Sequence, residues 1–183
     1  MLTGRELIEP LLIAAPHPAG LDDDTIMREI ILTRGRTSGP GGQHRNRVET
    51  QVTLAHNPTG LVAVAGERRI PADNQRVALR RLRLILAASC RAPVPLGEIG
   101  SDLWRSRNRG GRIAVNPSHR DYPTLLAEAL DVLHAAGLDH KRAGLRLDVS
   151  PSQLMKLIAK DLPTLDALNR AREARGLHSI RPG

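Results

Sequence analysis

The near absence of aromatic side chains constrains the fold of this chain more than any other feature. Its 183 residues include no phenylalanine, one tryptophan and one tyrosine. Any hydrophobic core must therefore be built from Leu, Ile, Val and Ala, because the rings that usually dominate core packing are missing. Such a core favours small helical or α+β units over an aromatic-rich β-sandwich. A chain of this length is expected to form one or two small domains.

The charge of the chain is high and is concentrated in its middle. The formal net charge is +8, and 24 of the 27 basic residues are arginine. Residues 28–112 hold 16 arginines and six acidic residues, a net of +10, whereas the remaining segments together have a net of −2. Arginine forks bind phosphate bidentately and stack on bases. The middle segment is therefore the expected polyanion-facing part, and the alternative is a well-solvated surface without a partner.

Composition also bears on compartment, membrane insertion and metal binding. The single cysteine, Cys90, cannot form an internal disulfide, which fits a reducing cytosol, and we expect a buried small hydrophobe there. The apolar residues 7–15 are interrupted by Glu9 and Pro10, so we expect neither a signal peptide nor a membrane span. The histidines lack the spacing of metal ligands. We therefore predict a cytoplasmic protein with no metal and no cofactor.

Proline, glycine and hydrophobic periodicity divide the chain into four predicted segments. Residues 1–20 are an N-terminal extension, with a short helix followed by a proline-broken linker. Residues 21–92 are predicted to form a domain that mixes strands and helices. Residues 93–118 are a linker rich in proline and arginine, and residues 119–183 form a helical domain.

The pattern within residues 21–92 is that of a loop, a β-hairpin and a helix. Residues 22–32 fit either a helix begun by acidic residues or a β-branched strand. The glycine-rich residues 35–43 cannot form a regular element and are predicted as a loop. Residues 48–65 predict a hairpin with a turn at 57–60. Residues 73–88 then predict a helix with an apolar stripe on one face and arginines on another.

Residues 93–118 and 119–183 carry different sequence patterns. Four arginines with two glycines at 105–112 are typical of a flexible tether that binds polyanions, and equally of a solvated linker without a partner. Residues 121–137 predict an amphipathic helix that ends at Gly137, and residues 143–147 predict another. Ser150 is a natural N-cap with Pro151 at the first helical position, and a last helix follows. The short helices joined by a tight turn resemble a helix-turn-helix.

The glycine-rich loop carries the most specific motif in the sequence. It reads Arg36-Thr37-Ser38-Gly39-Pro40-Gly41-Gly42-Gln43-His44-Arg45-Asn46 and is followed by Asn57-Pro58-Thr59-Gly60 and Glu67-Arg68. Over roughly residues 25–90, this order of loop, hairpin and arginine-rich helix resembles the catalytic domain of class I peptide chain release factors. It also resembles the codon-independent ribosome rescue hydrolases.

The resemblance implies a fold, an activity and partners. The fold is a small α+β domain that enters the large ribosomal subunit, and the GGQ loop reaches the peptidyl transferase centre. Water there cleaves the ester that joins peptide and tRNA. The implied partners are the ribosome, through its large-subunit rRNA, and peptidyl-tRNA, with no membrane, and we expect a monomer. Gln43 is methylated in many family members, and the sequence leaves that point open for this chain.

Elementary chemistry agrees with the catalytic assignment of Gly41, Gly42 and Gln43. Glycines lack a Cβ, so the backbone can adopt positive φ and approach a ligand closely. The backbone N–H of Gln43 can donate to the developing oxyanion or to the leaving oxygen, and a donor of this kind contributes about 3–4 kcal/mol in other hydrolases. Its side-chain amide can orient water. Glutamine is no strong base, so much of the site must be RNA. His44 could assist proton transfer or contact rRNA.

A set of arginines provides the predicted RNA-binding surface. They lie in the glycine-rich loop and its flanks, on the predicted helix and in the linker. The set is Arg34, Arg36, Arg45, Arg47, Arg68, Arg76, Arg80, Arg83, Arg105, Arg107, Arg109 and Arg112.

The sequence departs from the family pattern at two places. Arg45 stands where the family usually has a small apolar residue, and Arg69-Ile70 follows Glu67-Arg68 where Ser-Gln is common. A full release factor needs further domains to read a stop codon, and we find no length or motif for them. Rescue hydrolases instead end in a Lys/Arg-dense tail, whereas this C-terminus is mixed in charge. We therefore expect release without stop-codon decoding, and the C-terminal helices either dock a ribosomal protein or cap the fold.

A rival hypothesis belongs to a different functional class. The chain would then be a non-catalytic RNA- or DNA-binding module, with the GGQ fold as a platform and a helix-turn-helix-like C-terminus. The intact Gly41-Gly42-Gln43 favours the enzyme, because a pure binding module has no need of glutamine there. The net charge of −2 outside residues 28–112 argues against DNA binding by the C-terminal helices.

Overall fold

The fold combines helices with small sheets, so the predicted α+β class is confirmed. A computed structural model describes residues 9–36, 49–95 and 99–181. In chain order, the elements are β1 (Leu11–Leu12), a 3-10 helix (Pro18–Gly20), α1 (Asp23–Arg28), β2 (Ile30–Gly35), β3 (Gln51–His56), β4 (Val62–Ala65), α2 (Pro71–Ser89), β5 (Cys90–Arg91), α3 (Asp102–Arg107), α4 (Tyr122–Ala135), α5 (His140–Arg146), α6 (Pro151–Ile158) and α7 (Leu162–Glu173).

The described residues divide into two compact units. The first unit comprises residues 21–36 and 49–85, and the second comprises residues 9–20, 86–95 and 99–181. The boundary between them falls within α2. No helix in the described part of the chain is both long and apolar enough to cross a membrane.

The first unit starts with a helix that passes directly into a strand. The Asp22 carboxylate accepts a hydrogen bond from the Thr25 N–H at 2.9 Å and so caps α1. After Glu29 the β-branched residues continue as β2. The sequence allowed a helix or a strand over residues 22–32, and both are present because the capping signal and the β-branched run occupy different halves of that stretch.

The sheet of the first unit is antiparallel, with strand order β2-β3-β4. The predicted hairpin is confirmed as β3 and β4, in which Val52 pairs with Ala65. Val52, Leu54 and His56 alternate with less buried neighbours, as a period of two residues predicts. Strand β2 adds to the other edge of β3, from Ile30 opposite His56 to Gly35 opposite Gln51.

Helix α2 confirms the prediction for residues 73–88. Ala78, Leu82 and Leu86 are fully buried on its apolar face. Arg81 joins the helix to the sheet, because its Nη1 donates to the Val64 carbonyl oxygen at 2.7 Å.

The second unit surrounds α4, whose residues are largely buried. Gly137 ends this helix with a φ of 69°, a backbone conformation that glycine adopts without strain. Two aromatic side chains tie the unit together. The Tyr122 hydroxyl donates to the Leu157 carbonyl oxygen at 3.2 Å, and the Trp104 Nε1–H donates to the Leu147 carbonyl oxygen at 2.9 Å.

Helices α5 and α6 follow the predicted capping signals. The Ser150 hydroxyl accepts from the Gln153 N–H at 3.2 Å, and Pro151 opens α6 as predicted. The helices approach closely at Gly144, where an added Cβ would lie 2.8 Å from the Val149 carbonyl oxygen. The last helix, α7, is also present, capped by Asp161.

The structure differs from the sequence interpretation in two segments. Residues 1–8 of the predicted N-terminal helix lie outside the described residues. Residues 9–20 contain no α-helix, and Leu11–Leu12 pairs in parallel with Cys90–Arg91 as β1 and β5. The prolines of this segment lack the N–H that a helix interior needs. Within residues 93–118, predicted as a linker rich in proline and arginine, the structure contains α3 and the buried side chain of Trp104. Six residues of helix are too few to show a period in the sequence.

Candidate functional site

The predicted catalytic loop is attached to two paired strands. Gly35 at the end of β2 faces Gln51 at the start of β3. Beyond this pair, Arg36 Nε and Glu49 Oε1 lie 3.9 Å apart on the surface. The predicted catalytic residues Gly41, Gly42 and Gln43 lie outside the described residues, as do His44, Arg45 and Arg47.

A buried amide holds the chain just after that segment. Asn74, in the first turn of α2, is fully buried. Its Nδ2 donates to the Thr50 carbonyl oxygen at 2.6 Å and to the Arg68 carbonyl oxygen at 2.9 Å. Its Oδ1 accepts from the Arg68 N–H at 2.8 Å. Sequence analysis missed Asn74 because a lone asparagine in an arginine-rich helix shows no period or motif.

A histidine holds the opposite end of the sheet. His56 is buried, with Nε2 3.0 Å from Glu29 Oε2 and Nδ1 2.7 Å from the Thr59 hydroxyl. The Asn57 N–H also donates to the Glu29 carbonyl oxygen at 2.8 Å. The Asn57-Pro58-Thr59-Gly60 motif is therefore a structural turn in this chain, and Gly60 completes it with a φ of 69°.

The arginines of α2 occupy three different environments. Arg76 is exposed beside Asp73 at 2.6 Å, and Arg80 is also exposed. The Arg83 side chain is only 11% exposed and donates to Asp23 at 2.7 Å. Arg81 binds Glu67 at 2.6 Å. Of the three predicted RNA-binding arginines here, Arg76 and Arg80 face solvent and Arg83 is mostly covered.

Two other predicted RNA-binding residues of the first unit are exposed. Arg34 lies in β2, opposite Val52, and Arg68 lies in the turn before α2. Glu67 precedes Arg68, and hydrogen bonds from the backbone N–H groups of Glu67 and Gly66, with the Arg81 guanidinium, lower the pKa of its carboxyl. The carboxylate therefore stays ionised and keeps Arg81 against the sheet.

The predicted linker arginines lie in the second unit, two of them in a tight turn. Asn108 pairs with Ile113, and the Arg109 N–H donates to the Arg112 carbonyl oxygen at 2.9 Å. The central residues Gly110 and Gly111 have φ of 59° and 78°. Positive φ at both central positions is typical of a type I′ turn, which glycine favours.

The four linker arginines are not equivalent. Arg105 donates to Asp102 at 2.7 Å, and Arg107 donates to Asp121 at 2.5 Å. Arg109 and Arg112 are exposed at the two ends of the turn, and neither forms an ion pair with an acidic residue within 9–36, 49–95 or 99–181. The turn therefore presents two guanidinium groups to solvent.

A buried polar cluster lies elsewhere in the second unit. The Arg91 guanidinium donates to the Ala87 carbonyl oxygen at 2.8 Å and to the Ala88 carbonyl oxygen, at the end of α2. Asp131 lies 3.8 Å from it. Burial raises the pKa of Asp131 to about 7, against the opposing effect of Arg91. Arg91 thus satisfies the last carbonyls of the helix and lies beside a carboxyl that titrates near neutrality.

Burial also shifts the pKa values of two residues near Arg91. Burial lowers the pKa of His17 to about 4, and its Nδ1 accepts from the Ala19 N–H at 3.1 Å. Burial raises the pKa of the Cys90 thiol to about 11, so the thiol stays protonated at neutral pH. The prediction that Cys90 is a buried small hydrophobe is confirmed.

Comparison with known proteins places the motif in a family. Residues 24–94 match the RF-1 domain. Mitochondrial peptide chain release factor 1 of Bos taurus is 38% identical over 72 residues, which cover 39% of this chain and 16% of that protein. Peptide chain release factor 1 of Verminephrobacter eiseniae is 30% identical over 178 residues, 96% of this chain and 42% of that protein. The relative from Nocardioides sp. is 36% identical over 104 residues, 56% and 29% of the two chains.

These matches have a defined extent. The chain spans less than half the length of each of these relatives. No solved structure matches it significantly. The RF-1 match runs from α1 through the sheet and α2 to just beyond β5, and so includes the glycine-rich motif and every strand that flanks it. By this domain and these relatives, the chain is a class I release factor-like protein.

Proposed function

We propose that the chain hydrolyses the peptidyl-tRNA ester on the ribosome and releases the nascent chain, in translation termination or ribosome rescue. The observation that carries the proposal is the Gly41-Gly42-Gln43 motif between β2 and β3 of an RF-1 domain. A glycine pair followed by glutamine suits ester hydrolysis, which needs a positioned water and donors for the developing charge.

The proposed catalytic roles follow from the residue types. Gly41 and Gly42 allow backbone conformations closed to other residues. The Gln43 backbone N–H stabilises the oxyanion or the leaving oxygen, and its side-chain amide orients the water. No protein base is assigned, so ribosomal RNA and the tRNA supply the remaining groups. Gln43 is also the proposed position for methylation.

The proposed RNA contacts are graded by what the arginines already bind. In the first unit, the exposed Arg34, Arg36, Arg68, Arg76 and Arg80 are the proposed phosphate contacts, with Arg45 and Arg47 beside the motif. In the second unit, Arg109 and Arg112 of the tight turn are the main candidates. Arg36 and Arg76 are exposed but also lie beside a carboxylate, as Arg83, Arg105 and Arg107 do, so an RNA contact at these five would have to displace or share that partner.

The proposal includes partners and a trigger. The partners are large-subunit rRNA at the peptidyl transferase centre and peptidyl-tRNA, and the chain acts as a monomer in the cytoplasm. We also propose that this release needs no stop codon, as in the codon-independent rescue hydrolases that the glycine-rich motif resembles. The division into segments 1–20, 21–92, 93–118 and 119–183 is part of the same proposal.

The decisive experiment measures release of labelled peptide from purified ribosomes. One set of complexes has an empty A site without mRNA beyond it, and the other has a stop codon in the A site. We expect release from both, at rates within tenfold of each other. No release from either set would overturn the proposed activity, and a tenfold or greater requirement for the stop codon would overturn codon independence.

A second candidate function rests on one feature of the second unit. Helices α5 and α6 are short and joined by residues 147–150, the layout of a helix-turn-helix. In this alternative, the chain binds RNA or DNA without catalysis, and the helix pair forms a helix-turn-helix-like segment. Binding to duplex DNA by the wild type, at physiological salt and without any peptide release, would favour it.

A further inference from the structure

We propose that Asn74 is a positioning residue for peptide release. It acts through Thr50, the last residue of the catalytic segment, by which we mean residues 36–50 that connect β2 to β3 and carry the Gly41-Gly42-Gln43 motif. This inference rests on the proposed function of that segment. Neither the Gly-Gly-Gln motif nor the basic surface assigns Asn74 a role. Its side chain is 0% exposed and lies in the first turn of α2, the longest helix of the first unit.

The contacts of Asn74 use both N–H donors of its amide and its oxygen as an acceptor. The amide nitrogen donates to the Thr50 and Arg68 carbonyl oxygens at 2.6 and 2.9 Å. The amide oxygen accepts from the Arg68 N–H at 2.8 Å. A single buried group therefore fixes two backbone segments to α2: the residue before β3, and the turn that presents the exposed Arg68.

The bond to Thr50 matters because other restraints at this point are weak. The first sheet pair after the segment is Gln51 with Gly35. Outside that pair, the structure describes an ion pair between Arg36 and Glu49 at 3.9 Å, with both side chains more than half exposed. An exposed pair contributes little, whereas the hydrogen bond to Thr50 comes from a side chain that is itself fully buried. Asn74 is therefore the main fixed point for the chain between Glu49 and β3.

A fixed position of the Thr50 backbone matters more for hydrolysis than for folding. Catalysis depends on holding donors and water in place, and a displacement of about 1 Å costs about 100-fold in rate. Loss of the Asn74 amide frees the Thr50 carbonyl and lets the end of the catalytic segment shift. Of the proposed RNA-binding arginines, Arg68 alone contacts Asn74, and the others are unaffected by its loss. The expected signature is a lower maximal rate with an unchanged requirement for ribosomes.

The test compares Asn74→Ala and Asn74→Asp with Asn169→Ala. Asn169 is a matched control, because its amide holds the Ile180 backbone in the same two-way manner, at 3.1 and 2.8 Å, within the second unit. The carboxylate in Asn74→Asp still accepts from the Arg68 N–H but cannot donate to Thr50. Single-turnover release is measured over a range of protein concentrations, well below the thermal midpoint of each variant.

We expect both Asn74 variants to lower the maximal rate by at least about tenfold. Their half-saturating concentrations should stay within about twofold of wild type, and Asn169→Ala should match wild type in both values. If one Asn74 variant does not fold, the other carries the comparison, because Asn74→Ala removes the amide without adding a charge and Asn74→Asp keeps the side-chain volume.

The other outcomes separate the two proposals. A wild-type maximal rate in either folded Asn74 variant overturns the positioning role. So does a raised half-saturating concentration at an unchanged maximal rate, which would make Asn74 a support for binding through Arg68. A wild-type chain that releases no peptide overturns the proposed function, and this inference falls with it.

Discussion

Gly35 faces Gln51 as the final antiparallel pair of β2 and β3, so residues 36–50 leave and rejoin the sheet at one end. The motif Gly41-Gly42-Gln43 therefore lies in the segment of chain that connects β2 to β3. Its anchors are the sheet register and the hydrogen bond from Asn74 to Thr50. If the proposed catalytic role is right, a substitution within residues 36–50 can lower peptide release without disrupting the pairing of β2 with β3.

The first prediction concerns Gly42. Gly42→Ala should abolish peptide release and leave ribosome binding nearly unchanged, because a Cβ restricts the backbone conformations open to glycine. Gly35→Ala is the matched control, since an added Cβ there meets nothing within 4 Å and its φ is not positive. Single-turnover release and ribosome co-sedimentation measure the two properties. Release by Gly42→Ala at the wild-type rate would remove the basis for the catalytic assignment.

The second prediction divides the linker arginines. Replacing Arg109 and Arg112 together by alanine should make ribosome affinity less dependent on salt. In a plot of the logarithm of affinity against the logarithm of salt concentration, the slope should fall by about one for each phosphate contact that is lost. Replacing Arg105 and Arg107 should have a smaller effect, because Asp102 and Asp121 already bind them. Affinity is measured at several salt concentrations, and maximal release should change little. A larger effect from the ion-paired arginines would contradict this division.

The third prediction concerns the contact between α5 and the turn that follows it. Glycine to alanine in a helix interior normally stabilises by about 1 kcal/mol. Gly144→Ala should instead destabilise by about 1–3 kcal/mol, because its Cβ would lie 2.8 Å from the Val149 carbonyl oxygen. Urea denaturation followed by circular dichroism measures the free energy of unfolding. A more stable variant would show that α5 and α6 separate readily.

The fourth prediction concerns two buried groups whose effects on stability oppose each other. The lowered pKa of His17, about 4, means that its neutral form stabilises the fold above pH 6.5 and that this contribution is lost as pH falls toward 4. The raised pKa of Asp131, about 7, means that its protonated form stabilises the fold at acidic pH and that this contribution is lost as pH rises from 4 toward 7. Both shifts arise chiefly from burial.

Matched variants separate these effects. Relative to wild type, His17→Gln should gain stability as pH falls from 7 to 4, because an acid-sensitive group is removed. Asp131→Asn should lose stability relative to wild type over the same pH range. The asparagine keeps an oxygen that can accept the hydrogen bond from the Ala92 N–H, which Asp131 Oδ1 accepts at 3.1 Å in the wild type. Free energies of unfolding at pH 4, 5.5 and 7 give both slopes, and slopes of equal sign would refute the assignment.

Local signals explain how much of the fold could be predicted. Hydrophobic period and turn residues located the hairpin, and capping residues such as Ser150 located helix starts. The pairing of Gly35 with Gln51 could not be predicted, because period two identifies a strand and not its partner. The parallel pair of β1 with β5 joins two-residue strands far apart in the chain, too short for any pattern.

The part of the candidate site that could be predicted is the part that a sequence motif identifies. The Gly-Gly-Gln motif identified the family, and the family was confirmed by the RF-1 match. The state of each arginine was not predictable, since Arg83 is covered by Asp23, which lies 60 positions earlier. Asn74 escaped notice for the same reason: its partners at Thr50 and Arg68 are neighbours in space only.

The distribution of aromatic side chains has a spectroscopic consequence. Trp104 and Tyr122, the only aromatic residues of the sequence, are both buried in the second unit. Intrinsic fluorescence and near-ultraviolet absorption therefore report on that unit alone, and the first unit, which lies within residues 21–85, contributes nothing to them. Binding to RNA through the first unit would leave tryptophan emission unchanged unless the second unit also responds. The substitution Ile70→Trp, at an exposed position of the first unit, would give that unit a fluorescence signal of its own.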